Sequence, residues 1–95
     1  MNIQIQSVNF IADKQLKKFI NAKIEKLISI DDSIINTYVY LKVDKPESYD
    51  NKIVEIKLHS SLGVVFAKKQ SNSFEESADL CCQALRKQII KSKHK

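Results

Sequence analysis

Two stretches of this 95-residue chain carry cations at helical spacing. The closing fragment LRKQIIKSKHK, Leu85 to Lys95, keeps an apolar rhythm in Leu85, Ile89 and Ile90. It also carries Arg86, Lys87, Lys91, Lys93 and Lys95 and no acid. Earlier, Lys14, Lys17, Lys18, Lys23 and Lys26 are interleaved with Leu16, Ile20, Ile24 and Leu27, which recur every three or four residues. Ten of the sixteen Lys and Arg residues therefore fall on two helical segments or just beyond them. At roughly 100° per residue, Lys18 lies opposite the apolar stripe of its helix, and Lys23 and Lys26 lie along one flank beside Phe19. Lys87 points away from the second stripe and Lys91 nearly so. If the helices lie side by side, these charges form one basic surface, the footprint expected of a protein that rests on phosphates.

Part of this asymmetry has a purely structural origin. Glu75, Glu76 and Asp79 open the second helix and the cations close it, an arrangement that suits the helix dipole. The dipole does not explain Lys14, Lys17 and Lys18, which crowd the N-terminal turns of the first helix, where positive charge is disfavoured.

Other chemistries find little support. The single Gly excludes a glycine-rich phosphate loop. His59 and His94 stand in no ligand spacing, and no Ser-His-Asp or Cys-His pattern emerges. Glu55 and Asp44 are expected on a wet sheet face, without desolvation. Adjacent Cys81 and Cys82 read as small buried hydrophobes inside a helix, with a redox role as the lesser reading. No enzyme activity, cofactor or metal is expected. Tyr38 and Tyr40 project together from a sheet face and could stack bases. They read first as residues that favour strands, because the basic-aromatic signature of a sheet-type RNA reader is absent.

The elements that must hold these residues follow from periodicity. Asn2 to Val8 alternates as a short strand. Asp13 caps a helix from about Lys14 to Ser29, and Asp31-Asp32-Ser33 ends it. Ile35 to Asp44 alternates again, with Thr37, Val39, Leu41 and Val43 on one face. KPESYDN, Lys45 to Asn51, reads as a hairpin loop. Ile53 to Ser60 is a third strand, Ser61-Leu62-Gly63 a tight turn, and Val64 to Lys68 a fourth strand whose facing is not assignable. Ser73 to Glu76 fits a capping box, and Phe74, Ala78, Cys81, Cys82, Leu85 and Ile89 form the stripe of a helix reaching about Lys91. The order β-α-β-β-β-α implies an α+β two-layer sandwich: a four-stranded sheet with both helices on one face and the other face wet.

Composition bounds the class. Residues 1–95 make one domain with one modest core. Hydrophobic content is 43% and charged content 28%, ordinary for a globular protein. No apolar run spans a bilayer, and the N-terminus has no signal-peptide pattern, so a cytoplasmic location and no membrane partner are expected. The net charge of +5 favours a polyanionic partner.

Three runs, AKIEKL (Ala22 to Leu27), YVYLKVDK (Tyr38 to Lys45) and LRKQIIKSK (Leu85 to Lys93), resemble the ribosome hibernation promoting factor family, also called the ribosome-associated inhibitor or sigma-54 modulation family. The resemblance spans nearly the whole chain and includes the element order. It implies a protein that binds the small ribosomal subunit and its rRNA near the decoding centre in stationary phase or stress. There it would block the mRNA and tRNA sites and silence translation. Carried over by position, Lys23 and Lys26 on the first helix and Lys87, Lys91 and Lys93 on the last contact rRNA phosphates. Charge placement adds Lys18 and Arg86. Asp79 matches an acidic position usual in the family, with a structural role implied. One departure is Phe74, an aromatic one residue ahead of the family's usual position at Glu75. The chain resembles the short form, monomeric in isolation, without a C-terminal dimerisation domain and served in some bacteria by a separate ribosome-dimerisation factor. Two other readings stay open: a generic double-stranded-RNA-binding module, and a protein-interaction module working through the open sheet face around Tyr38, Tyr40 and His59.

Overall fold

In a computed structural model the elements run β1 (Asn2–Ser7), α1 (Lys14–Ile30), β2 (Ile34–Val43), β3 (Lys52–Ser60), β4 (Gly63–Ser71) and α2 (Phe74–Lys93). The structure describes residues 2–8, 10–45, 50–61 and 63–93, with 92 and 93 by backbone alone. Most of the expected KPESYDN loop and Leu62 of the expected turn thus lie outside the described residues. The sheet order is β1-β2-β3-β4. β1 pairs parallel to β2, which the α1 crossover makes possible, and the other two pairs are antiparallel.

Local chemistry sets the helix ends. The Asp13 carboxylate accepts the Leu16 amide hydrogen at 2.7 Å, satisfying one orphan donor of the first turn. At the other end the Asp31 carboxylate accepts from the amide and hydroxyl of Ser33 at 3.0 and 2.6 Å, turning the chain into β2. Ser73 Oγ accepts the Glu76 amide at 3.1 Å and caps α2. The reciprocal half of the expected capping box is replaced: the Ser73 amide donates to Ser71 Oγ at 3.4 Å.

The sheet buries one face. Register places Ile3, Thr37, Leu58 and Val65 in one row and Ile5, Val39, Ile56 and Ala67 in the next. Residues alternate across a strand, so these rows share a face. Ile20, Ile24 and Leu27 of α1 and Phe74, Ala78, Cys81, Cys82, Leu85 and Ile89 of α2 join them in a single core. Both helices therefore cover that face, as the apolar stripes predict. Val43, expected to face inward, lies at the end of β2 and is exposed.

β4 is longer than its sequence pattern suggests, because pairing with β3 runs from Ser60–Gly63 to Lys52–Ser71. Register also assigns its facing: Val65 and Ala67 turn inward, and Val64, Phe66 and Lys68 turn out. Gly63 takes φ +131°, a left-handed conformation that L side chains rarely adopt. At the outer edge of β4, Gln88 of α2 donates a hydrogen bond to the Phe66 carbonyl at 3.1 Å. A buried hydroxyl pair that periodicity does not reveal ties α2 to the strands. Ser71 and Ser77 Oγ lie 2.7 Å apart, and Ser77 Oγ donates to the Lys52 carbonyl at 2.7 Å.

Candidate nucleic-acid interface

Burial of the two apolar stripes turns the remaining helix surfaces outward. Lys14, Lys17, Lys18 and Lys26 of α1 are exposed, and so are Arg86, Lys87 and Lys91 of α2. Lys93 closes α2, and its side chain lies outside the described residues. Of the anticipated contact residues, the fold brings Lys23, Lys26 and Arg86 together. They line a groove of about 320 Å³ between the helices, floored by Leu27, Ile30 and Cys82. Lys18, Lys87 and Lys91 are presented to solvent outside that groove.

Lys23 differs from the other cations. Its ammonium bonds Asp79 Oδ1 at 2.7 Å, linking the two helices, and lies 5.5 Å from the centre of the Phe19 ring. Gln83, one turn on, donates to Asp79 Oδ2 at 2.9 Å. The hydrogen bond to Asp79 raises the Lys23 pKa above its ordinary 10.5, and the hydrogen bond from Lys23 holds the Asp79 carboxyl below its ordinary 3.8. Asp79 thus orients Lys23 at the groove and offsets part of its charge. Neither Gln83 nor the groove itself is apparent from the sequence. The i, i+4 spacing of Asp79 and Gln83 was available as a signal, but the contact with Lys23 spans 56 positions and needs the helix packing.

A second cleft, at the N-terminal ends of both helices, is lined among the described residues by Asp13, Gln15, Leu16, Phe19, Phe74 and Glu75. Phe74 stacks on Phe10 there, with centroids 5.1 Å apart and an interplanar angle of 11°. Phe74, one residue ahead of the expected aromatic position, is therefore a packing residue.

Among the described residues, no three His, Cys, Asp or Glu side chains gather as metal ligands. The Cys81 thiol donates to the Val54 carbonyl at 3.1 Å, and burial pushes its pKa up to about 12. Burial pushes Cys82 up to about 11. At neutral pH both remain thiols, poor nucleophiles and poor redox centres. No described helix is long and apolar enough to cross a membrane. On the open sheet face, Glu55 departs from expectation. Its side chain is only 15% exposed, because Lys42 folds over it in a 2.8 Å ion pair. Asp44 stays exposed, as expected, and accepts from Gln70 at 3.3 Å.

Over residues 3–95 the sequence matches the family described as Sigma 54 modulation protein / S30EA ribosomal protein. The fold is similar to that of a ribosomal subunit interface protein from Coxiella burnetii, with a TM-score of 0.89 and 22% identity over 100% of both chains. It is also similar to the N-terminal domain of Protein Y from Thermus thermophilus, with a TM-score of 0.79 and 18% identity over 94% of this chain and 96% of that one. No curated protein matches the sequence significantly.

Proposed function

The chain belongs to the Sigma 54 modulation protein / S30EA ribosomal protein family, which makes it a non-enzymatic, ribosome-associated protein, and from that premise we propose that it is a hibernation factor of the small ribosomal subunit. Its helical layer lies on rRNA near the decoding centre, where the body of the domain occupies the path of mRNA and tRNA and so stops translation in stationary phase or stress. Lys18, Lys23, Lys26, Arg86, Lys87, Lys91 and Lys93 supply the phosphate contacts. A separate dimerisation factor would join silenced ribosomes where they pair.

The observation that carries this reading is the two-helix groove. It draws Lys23, Lys26 and Arg86 together on a layer that also turns Lys18, Lys87 and Lys91 to solvent. Fifteen of the sixteen Lys and Arg residues are lysines, and Arg86 is the chain's only arginine. Lysine is a point charge without the bidentate geometry that reads base edges, so recognition follows phosphate position and rRNA shape.

Co-sedimentation with purified bacterial ribosomes through a sucrose cushion tests the proposal. Stoichiometric binding to the small subunit is expected. About five of these seven cations on phosphate at once give a log-log salt slope of roughly −3.5 to −4.5. Charge reversal at Lys26, Arg86, Lys87 and Lys91 should abolish pelleting while the circular dichroism spectrum is unchanged. Undiminished pelleting of that variant, or equal affinity for free duplex RNA, would overturn the proposal.

A further inference from the structure

The sheet face turned away from the helices has the composition of a second nucleic-acid surface. Tyr38 and His59 meet edge to face, with ring centroids 5.2 Å apart. Tyr40 lies on the same face of β2, about 7 Å further along the strand. Register adds what the strand pattern of β4 alone does not reveal: Phe66, 47% exposed, stands in the same cross-strand row as Tyr38, with Lys57 between them. The next row carries Tyr40, Glu55 and Lys68. Lys57 and Lys68 are exposed, whereas the one carboxylate in these rows, Glu55, is held by Lys42. The face is therefore net positive and studded with rings.

We infer that this open face binds single-stranded RNA by stacking bases on Tyr38 and Phe66, with Lys57 meeting the phosphate that joins them. Two strand spacings separate the rings, roughly 10 Å, which leaves room for a base on each and for the ammonium between. A flat ring accepts any base, so the face tolerates sequence, and its lysines add a salt-dependent component. Duplex RNA is a poor ligand, because its bases are already stacked on one another. The inference is independent of the helical layer: it places a second strand on the opposite side of the domain.

The test is a fluorescence titration of the whole chain with a ten-nucleotide oligoadenylate RNA, with a ten-base-pair RNA duplex as comparison. The chain has three Tyr and no Trp, so its intrinsic emission reports on tyrosine, and stacking at Tyr38 and Tyr40 should quench it. The Tyr38→Leu/Phe66→Leu variant should lose roughly 5- to 100-fold in oligonucleotide affinity for each ring removed. Tyr38→Phe, which keeps the ring, should bind as the parent does and guards against a folding artefact. Lys26→Glu/Lys87→Glu should keep the quenching, even where it fails to pellet with ribosomes, so this result is separable from the helix-face reading. Three outcomes overturn the inference: no quenching by oligoadenylate, equal affinity for the duplex, or ring variants that weaken ribosome binding while leaving oligonucleotide affinity unchanged. The last would mark the face as a protein-docking surface.

Discussion

Replacing Asp79 by Asn probes the groove most directly. The carboxylate holds the Lys23 ammonium at 2.7 Å and is itself held by Gln83. Among the described residues, three cations and one carboxylate line the groove; the variant removes that carboxylate's charge and frees Lys23 for a further phosphate contact. One additional contact steepens the salt slope by roughly 0.7 to 0.9, which at 0.1 M monovalent salt corresponds to about a five- to eightfold gain in affinity. The Asp79 and Lys23 side chains are 40% and 30% exposed, and ion pairs this accessible contribute little to stability, so the melting temperature should barely move. Asp79 is held below 3.8, so its stabilisation is present above that value and is lost as pH falls through the lowered pKa. Lys23 is held above 10.5, so its share stands below that value and is lost as pH rises through the raised pKa. The pair therefore stays ionised from about pH 5 to 9, and the affinity ratio of variant to parent should be flat across that window. The assay is equilibrium binding to small subunits at four salt concentrations. Weaker binding by Asp79→Asn at an unchanged melting temperature would refute this reasoning. Asp79 would then serve chiefly to aim Lys23, and its charge would be a minor cost.

Three further outcomes follow from packing and backbone geometry. Leu85→Ala removes a fully buried side chain from the helix–sheet core and should cost about 2–5 kcal/mol in urea denaturation. Gly63→Ala meets no neighbour within 4 Å but must adopt φ +131°, so a loss of about 1–3 kcal/mol should appear as a lower denaturation midpoint with an unchanged m-value. Cys81 and Cys82, buried and with pKa values raised to about 12 and about 11, should resist an aromatic disulfide reagent at pH 8 and react fully once urea unfolds the chain; immediate labelling of the native protein would contradict their placement.

Features carried by neighbours in sequence were legible in advance. The Asp13 cap, the stripe of α2 and the alternation of β2 each depend on residues within a turn or two of one another. Features that depend on which elements meet were not. The facing of β4 is fixed by its register with β3, because Val64-Val65-Phe66-Ala67 is apolar at every step and offers no alternation. The engagement of Lys23 by Asp79 depends on how two helices pack, and an isolated helical wheel shows Lys23 only as a flanking cation. Glu55 looked solvated because strand alternation counts faces and does not count a neighbouring lysine stem laid across a carboxylate. The Ser71–Ser77 contact was invisible for a related reason: serine reads as polar, and only the approach of α2 to the Lys52 carbonyl makes burial there tolerable.

The Gln88 bond to the Phe66 carbonyl has a consequence for the newly made chain. β4 is an edge strand, and its outward amides and carbonyls, set beside four consecutive apolar residues, form a template on which a foreign strand could grow. In the folded protein a side chain from α2 occupies one of those carbonyls. α2 follows β4 in the chain, so during synthesis the edge stands bare until the helix has been made and has docked. That interval is the period of greatest exposure to aggregation. It ends only when the same helix that supplies Arg86 and Lys87 settles onto the sheet, so the step that covers one carbonyl of that edge also sets those two cations in place.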